Sequence, residues 1–138
     1  RIKNVIHGYS RHKGIPANTR YFKTAFVSKS NVSDDTRNSL VRKSVEMICV
    51  RENTFENVVD KNEYKVFQNG NISTGVLFDL DEVDNFKKEL SKLGLPSHIY
   101  VFSLTNDTYI NDFEDLALDH ELCPIPESIL EVYRKLFK

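Results

Sequence analysis

Residues 64–104 decide the fold, and they run YKVFQNGNISTGVLFDLDEVDNFKKELSKLGLPSHIYVFSL. Two runs rich in β-branched and aromatic residues, 64–68 and 72–80, flank the turn sequence Asn-Gly-Asn at 69–71. An Asn-Gly pair between two such runs is a strong signal for a β-hairpin, because both residues accept a positive φ. The stretch therefore predicts two antiparallel strands.

A helix and a further strand are predicted after this hairpin. Asp81 is expected to cap a helix over 82–93, along which apolar residues recur every three to four positions. Gly94 ends this helix, and a proline follows two residues later. Residues 98–104 are apolar almost throughout, which predicts a strand buried on both faces. Helix and strand segments that alternate in this way, with one hairpin among them, predict a mixed sheet.

Hydrophobic period and turn chemistry predict the elements of the remaining chain. They are a helix end at 2–8, a loop at 10–19, a strand at 21–27, a helix at 35–50, a turn at 53–55, a polar loop at 105–115, a strand at 116–122 and a helix at 127–137. Together these elements predict an α/β fold, with a small mixed β-sheet of about four to five strands packed with three to four helices.

Length and composition fit one packed core, since the chain has 138 residues and 40% of them are hydrophobic. Its apolar runs are far shorter than the ~20 residues that a membrane span requires. No signal peptide is visible, so we expect a cytoplasmic protein without membrane contact. Cys49 and Cys123 are interpreted as reduced thiols. The chain starts at Arg1 inside a helical pattern that has no cap, which suggests a fragment of a longer protein.

Charge is distributed unevenly along the chain. Residues 1–29 carry a charge of +7 and contain no Asp or Glu, whereas the other 109 residues hold 12 basic and 20 acidic side chains, a charge of −8. Such a basic segment, mixed with aromatic residues, is a candidate for contact with a phosphate backbone. The competing interpretation is a solvated loop and an edge strand protected by its charges. The candidate DNA-backbone contacts are Arg1, Lys3, Arg11, Lys13, Arg20, Lys23 and Lys29.

One motif suggests enzyme chemistry. The strand that ends in Asp79-Leu80-Asp81 is similar to the nucleophile motif of haloacid-dehalogenase-like phosphatases, in which one aspartate attacks phosphorus. Ser103, at the end of the next strand, is the candidate phosphate-binding hydroxyl. The motif departs from that family, because Glu82 and Val83 stand where it has Gly and Thr, and too few residues follow for the rest of its core. The simpler interpretation is that Asp79 ends a strand and Asp81 caps a helix.

Other catalytic and ligand-binding patterns are missing from the sequence. The four histidines have no i,i+4 pair and no zinc-ligand spacing with the cysteines. No Gly-x-Gly turn and no phosphate-binding loop with Gly-Lys occurs. We therefore predict no catalytic, no cofactor-binding and no metal-binding residue in this chain.

Several segments, taken in order, resemble the C-terminal region of the modification subunits of type III restriction–modification systems and their close relatives. No single segment is diagnostic, but together they are fairly specific; one is NTRYFKTAFV at 18–27, in which Ala25 departs from the Asp that this family commonly has there. The other similar segments are RIKNVIHGY at 1–9, EMICVRENTF at 46–55, YVFSL at 100–104 and the ending from 124 to 138.

This resemblance implies a parent enzyme that transfers a methyl group from S-adenosylmethionine to adenine in DNA. The catalytic Asp-Pro-Pro-Tyr motif and the glycine-rich cofactor motif of that family do not occur in these residues. The resemblance thus implies that 1–30 is a truncated helix and basic linker or strand from the methyltransferase core, and that 31–138 is a C-terminal α/β domain. This fragment is expected to be inactive alone and to hold no cofactor.

The expected role of the fragment is subunit assembly or contact with the DNA backbone. The implied partners are the rest of the methyltransferase, a second modification subunit, a restriction subunit, and DNA through residues 1–29. The alternative is a stand-alone protein-interaction domain. Self-association that survives salt favours assembly, whereas DNA affinity that falls steeply with salt favours backbone contact.

Overall fold

The computed structural model describes residues 2–15, 20–24, 26, 33–102, 109–129 and 131. The expected domain boundary between 30 and 31 lies outside these residues. The elements are α1 (Ile2–His7), β1 (Gly8–Tyr9), β2 (His12–Lys13), α2 (Ser33–Glu52), β3 (Glu56–Asp60), β4 (Tyr64–Gln68), β5 (Ser73–Leu77), α3 (Val83–Leu93), β6 (Ser97–Val101), α4 (Ile110–Phe113) and β7 (His120–Leu122). A further helical turn occupies 127–129.

Strands β3 to β7 form one mixed sheet in the order β3-β4-β5-β6-β7. Strands β3, β4 and β5 pair antiparallel, whereas β5 with β6 and β6 with β7 pair parallel. Helix α3 makes the crossover that a parallel β5–β6 pair requires. The predicted α/β fold with a mixed sheet is confirmed.

The hairpin between β4 and β5 is held by its asparagine. The Asn69 side-chain oxygen accepts hydrogen bonds from the backbone N–H groups of Asn71, at 3.0 Å, and Ile72, at 3.1 Å. Gly70 takes the positive φ of 87° that the turn needs. The sequence signal was therefore correct, although the second strand starts at Ser73 and ends at Leu77 rather than spanning 72–80.

Each face of the sheet carries its own apolar cluster, because side chains alternate along a strand. The α3 face buries Phe86 and Leu90 of the helix against Leu77 and Ile99 of the two central strands. The opposite face buries a second cluster, made of Val45, Ile48 and Cys49 of α2 with Val76, Tyr100 and Ile129. The sheet thus lies between two helical layers, with α2 fixed over β5 and β6.

Helix α2 matches its predicted position and is longer than the predicted 35–50. It ends at Glu52, where Asn53 adopts a φ of 56° and the Thr54 N–H donates to the Cys49 carbonyl at 3.1 Å. The buried Thr54 hydroxyl also donates to the Thr74 hydroxyl of β5 at 2.7 Å. The predicted turn at 53–55 is confirmed, and it fixes the end of α2 to the sheet. Among the described helices, α2 included, none is both long and apolar enough to cross a membrane.

Two sequence predictions for strands are wrong in position. Residues 21–24 and 26 form no strand; the Phe22 ring contacts Phe55, and the Phe26 carbonyl accepts a hydrogen bond from Lys43 of α2 instead of pairing in the sheet. Residues 56–60, for which no strand was predicted, form β3. This strand lies at the sheet edge and is mostly exposed, so it shows little of the apolar alternation that identifies a strand.

The C-terminal part also differs from prediction. The predicted polar loop at 105–115 contains α4, and Phe113 of that helix is fully buried against the α3 face. The predicted strand at 116–122 is real only over His120–Leu122, which pairs parallel with β6. The predicted helix at 127–137 begins as expected, and 130 and 132–138 lie outside the described residues.

Candidate nucleic-acid interface

The basic N-terminal segment begins with a small folded unit. Strands β1 and β2 form a two-residue hairpin directly after α1, with Gly8 at a φ of 78°. The Ile15 N–H donates to the Val5 carbonyl at 3.0 Å, which folds the hairpin back onto the helix. The side chains of Lys3, Arg11 and Lys13 are all exposed on this unit. It therefore presents three cations to solvent on a short, locally ordered scaffold.

Residues 20–26 lie against α2 and the turn after it. The Arg20 guanidinium carbon is 4.0 Å from the centroid of the Phe55 ring, a cation–π contact, and the Phe22 ring centroid lies 5.7 Å from that of Phe55. The Lys43 ammonium of α2 donates to the Phe26 carbonyl at 2.6 Å. These contacts hold the segment beside α2 without any strand pairing.

Most of the aromatic surface of this segment faces solvent. The exposed fractions are 84% for Tyr21, 53% for Phe22 and 91% for Phe26. Large apolar side chains on a protein surface in one short stretch are a common mark of a binding site. The segment is thus an exposed aromatic and basic surface rather than part of the core.

A groove separates this segment from α2. Its volume is about 770 Å³, and Tyr21, Phe22 and Lys23 line one side of it. Met47 and Val50 of α2, which are 53% and 47% exposed, line the other side. Its remaining lining residues are both apolar and polar, and the polar ones from α2 are Lys43, Ser44 and Glu46. We call this feature the α2 groove.

Five of the seven predicted DNA-backbone contacts lie in described residues, and all five are exposed: Lys3, Arg11, Lys13, Arg20 and Lys23. Within the described part of the chain, none of them forms an ion pair with a carboxylate. Arg1 and Lys29 lie outside the described residues. Three of the five lie on the unit formed by α1 and the β1–β2 hairpin. The other two, Arg20 and Lys23, lie at the α2 groove.

A partly buried polar cluster at the end of α2 was not predicted from the sequence. The Glu52 side chain is only 9% exposed, and its Oε2 lies 2.5 Å from His98 Nδ1. Its Oε1 accepts a hydrogen bond from the Tyr100 hydroxyl at 2.5 Å, and Arg51 Nε lies 3.3 Å from the same oxygen. The spacing of His98 and Tyr100 on one strand was the only sequence signal, since it places both on one sheet face.

Proton affinities in this cluster are set by burial and by the hydrogen bonds to Glu52. Burial alone would raise the pKa of Glu52, but hydrogen bonds from Tyr100 and His98, with the charges of His98 and Arg51, lower that pKa below its ordinary value. Burial, and then the hydrogen bond to Glu52, raises the pKa of Tyr100. At neutral pH the Glu52 carboxylate accepts a hydrogen bond from the neutral Tyr100 phenol, and this bond connects α2 to β6.

This cluster does not assemble a nucleophile. Among the described residues, no Ser or Cys side chain is hydrogen-bonded to His98, whose Nδ1 contacts Glu52. The nearby Cys123 thiol is held protonated, because burial raises its pKa, and burial likewise raises the pKa of Cys49 to about 11. Both cysteines are free thiols, as the sequence predicted.

The phosphatase-like motif has a structural use. Asp79 follows β5, and its Oδ1 accepts a hydrogen bond of 3.0 Å from the Asp81 N–H, so Asp79 caps the helical turn 80–82 that leads into α3. The prediction that Asp81 is the cap is therefore wrong, because the helix is preceded by this extra turn. Ser103 lies outside the described residues. The part of the chain that the structure describes contains no group of three or more His, Cys, Asp or Glu side chains arranged for a metal ion.

Replacing Asp79 with alanine should lower the free energy of unfolding by about 1 kcal/mol, the usual cost of a lost cap. Asp81 donates only its backbone N–H to the cap, so Asp81→Ala should change stability by less than about 0.5 kcal/mol. Urea unfolding of both variants measures the difference, provided that the free energy of unfolding depends on urea concentration with the same slope in both. Equal losses in the two variants would contradict the assignment of the cap to Asp79.

Comparison of the chain with protein-family models, with curated proteins and with solved structures gave no match.

Proposed function

We propose that this chain is a non-catalytic C-terminal region of a bacterial DNA adenine methyltransferase of a restriction–modification system, and that its basic N-terminal segment contacts the DNA backbone. One observation supports the contact above all others. The five described cations of residues 1–29 are exposed, and none of them is neutralised by a carboxylate within the described residues. The cytoplasm, where such an enzyme meets DNA, is the proposed compartment.

Unpaired surface cations are the groups that phosphate contacts use. Each Lys or Arg that meets a phosphate releases bound counterions from DNA, which drives association at low salt. Elsewhere some lysines are ion-paired, as in Lys65 with Asp60 and Lys87 with Asp84 and Asp115, whereas Lys88 is exposed and forms no ion pair within the described residues. The N-terminal segment is distinguished by its charge, because residues 1–29 carry +7 without a single Asp or Glu, and this supports a contact through that segment.

The residues of this chain do not fit S-adenosylmethionine, the cofactor that the resemblance implies for the parent enzyme. A site of that kind needs a glycine-rich turn and a free carboxylate at the end of a buried strand, and the chain contains no Gly-x-Gly. The carboxylate after the buried strand β5, Asp79, is used as a cap. In this proposal the cofactor and the catalytic residues belong to the region upstream.

Binding of the chain to a duplex of about 20 base pairs should weaken steeply with salt, because about five phosphate contacts correspond to a loss of about 500-fold between 50 and 200 mM salt. The double variant Arg11→Ala/Lys13→Ala removes two contacts and should lower the slope of log K against log salt by about 2. Fluorescence anisotropy of labelled duplex measures both quantities.

The matched control for this experiment is Lys88→Ala/Lys92→Ala on α3, which removes the same charge from another exposed surface. This control should leave the salt slope unchanged. Equal slopes for the two double variants would mean that DNA responds to net charge alone. No measurable binding at low salt would refute backbone contact altogether.

Subunit assembly is a second candidate, favoured by exposed apolar residues outside the basic segment. Val58 is 40% exposed on β3, which is an edge strand of the sheet, and Ile110 is 56% exposed on α4. An apolar contact would survive salt, whereas DNA binding would not. Sedimentation velocity at low and high salt distinguishes the two, since a dimer that persists at high salt would favour assembly.

A further inference from the structure

We propose that the α2 groove and the exposed aromatic residues beside it bind unpaired nucleobases, so that the chain contacts single-stranded nucleic acid as well as a duplex backbone. This inference deepens the proposed function and rests on its premise that residues 1–29 meet nucleic acid. The inference is based mainly on the exposed aromatic and basic side chains that lie together at the groove.

The aromatic rings are placed to offer their faces. Tyr21 and Phe26 keep 84% and 91% of their surface exposed, and the Phe26 carbonyl accepts a hydrogen bond from Lys43 of α2. Phe22 is the exception, because its ring meets Phe55. Aromatic rings with free faces can stack on the flat ring of a base, and such stacking tolerates any base.

The charges around the groove match a phosphate chain. Lys23 and Lys43 line it, Arg20 lies next to it on the Phe55 ring, and Glu46 is its one acidic lining residue. A strand whose bases stack on Tyr21 would carry its phosphates past these cations. A purely acidic peptide such as polyglutamate would meet the same cations, but it has no flat rings for the aromatic faces.

The geometry distinguishes unpaired bases from paired ones. In a duplex, base faces are covered by the neighbouring pairs, and a protein reaches only base edges and phosphates. Exposed rings such as Tyr21 gain nothing from those edges, whereas a splayed strand presents its faces to them. The groove, with a volume of about 770 Å³, has space for more than one base.

The test uses Tyr21→Trp in the full 138-residue chain, which contains no other tryptophan. Stacking of a base on this ring should quench its emission when an oligothymidine of about 12 nucleotides is added. An oligouridine of equal length, a duplex of equal charge and polyglutamate of equal charge form the other arms. The two single strands separate DNA from RNA as the preferred source of the bases.

The affinity of the single strand should fall about 10-fold in Tyr21→Ala, the typical effect of one lost base–aromatic stack. Tyr21→Phe should keep that affinity, because the ring face remains. Ile110→Ala removes another exposed apolar side chain, on α4 and away from the groove, and should leave binding unchanged. Circular dichroism confirms that each variant is folded.

Three results would overturn the inference: no quenching by either single strand, unchanged affinity in Tyr21→Ala, or binding of polyglutamate as tight as that of the oligonucleotides. The last result would assign the groove to an acidic protein segment. If duplex binding with a steep salt slope persists in any of these cases, only the inference about bases fails. If the unmodified chain binds neither single strands nor the duplex, the proposed function is refuted as well.

Discussion

Glu52→Ala should lower the free energy of unfolding by about 3 kcal/mol, because it leaves two hydrogen-bonding groups, one of them fully buried, without their acceptor. The Tyr100 hydroxyl, on a residue that is 0% exposed, loses the carboxylate oxygen at 2.5 Å, and His98 Nδ1 loses the other oxygen. An unsatisfied buried polar group costs about 1–3 kcal/mol, and the apolar contact between α2 and the sheet does not replace it. Urea unfolding followed by circular dichroism measures this loss.

The same cluster should make stability depend on acid. The pKa of Glu52 is lower in the folded protein than its ordinary value of 4.5, so the folded state binds this proton less readily than the unfolded state. Its contribution is therefore complete above about pH 4.5 and is lost as the pH falls through the lower, folded pKa. Glu52→Gln, which cannot ionise, should show a shallower loss of stability in that window.

Glu56→Ala is the matched control for both measurements. Glu56 lies on the edge strand β3, four residues after Glu52, and its side chain is exposed. Its removal should change stability by less than about 0.5 kcal/mol and should leave the acid limb unchanged. A Glu52→Ala loss as small as this control would mean that the hydrogen bonds of the cluster do not stabilise the fold.

Local patterns in the sequence predicted the elements whose signals are local. The 69–71 turn, the stop at Gly94 and the apolar stripe of α2 each depend on residues within a few positions of one another. The structure confirms all three of these predictions. The mixed sheet follows from them, because one hairpin and one helical crossover leave few other arrangements.

Features that depend on distant residues were not predictable in this way. Glu52 and His98 are 46 residues apart, and nothing near either of them indicates that a sheet and a helix end bring them together. Residues 21–27 have the composition of a strand, yet the described ones contact Phe55 and α2, since tertiary contacts override propensity. The exposure of the five described cationic candidates could be predicted, because charged side chains stay in water unless they are paired.

Gly75→Ala should destabilise the protein by about 2 kcal/mol, since an added methyl group has no space in the core. Gly75 lies in the centre of β5, and a Cβ atom there would be 2.4 Å from Cζ and 2.8 Å from Cε2 of Phe86. Phe86 of α3 is itself fully buried and packs against Tyr64 and Phe113. The ring therefore cannot move aside without disturbing the rest of the α3 face.

A double-mutant cycle tests this crowding directly. Phe86→Leu shortens the side chain that the new methyl group would meet, so the cost of Gly75→Ala should fall by about 1–2 kcal/mol in that background. Gly70→Ala is the control, because its cost comes from a φ of 87° with nothing within 4 Å, and Phe86→Leu should not reduce it. If Gly75→Ala costs the same with either residue at 86, then close approach of α3 to β5 is not what requires glycine there. The loss of stability would then come from a change within strand β5 itself and not from contact with Phe86 of α3.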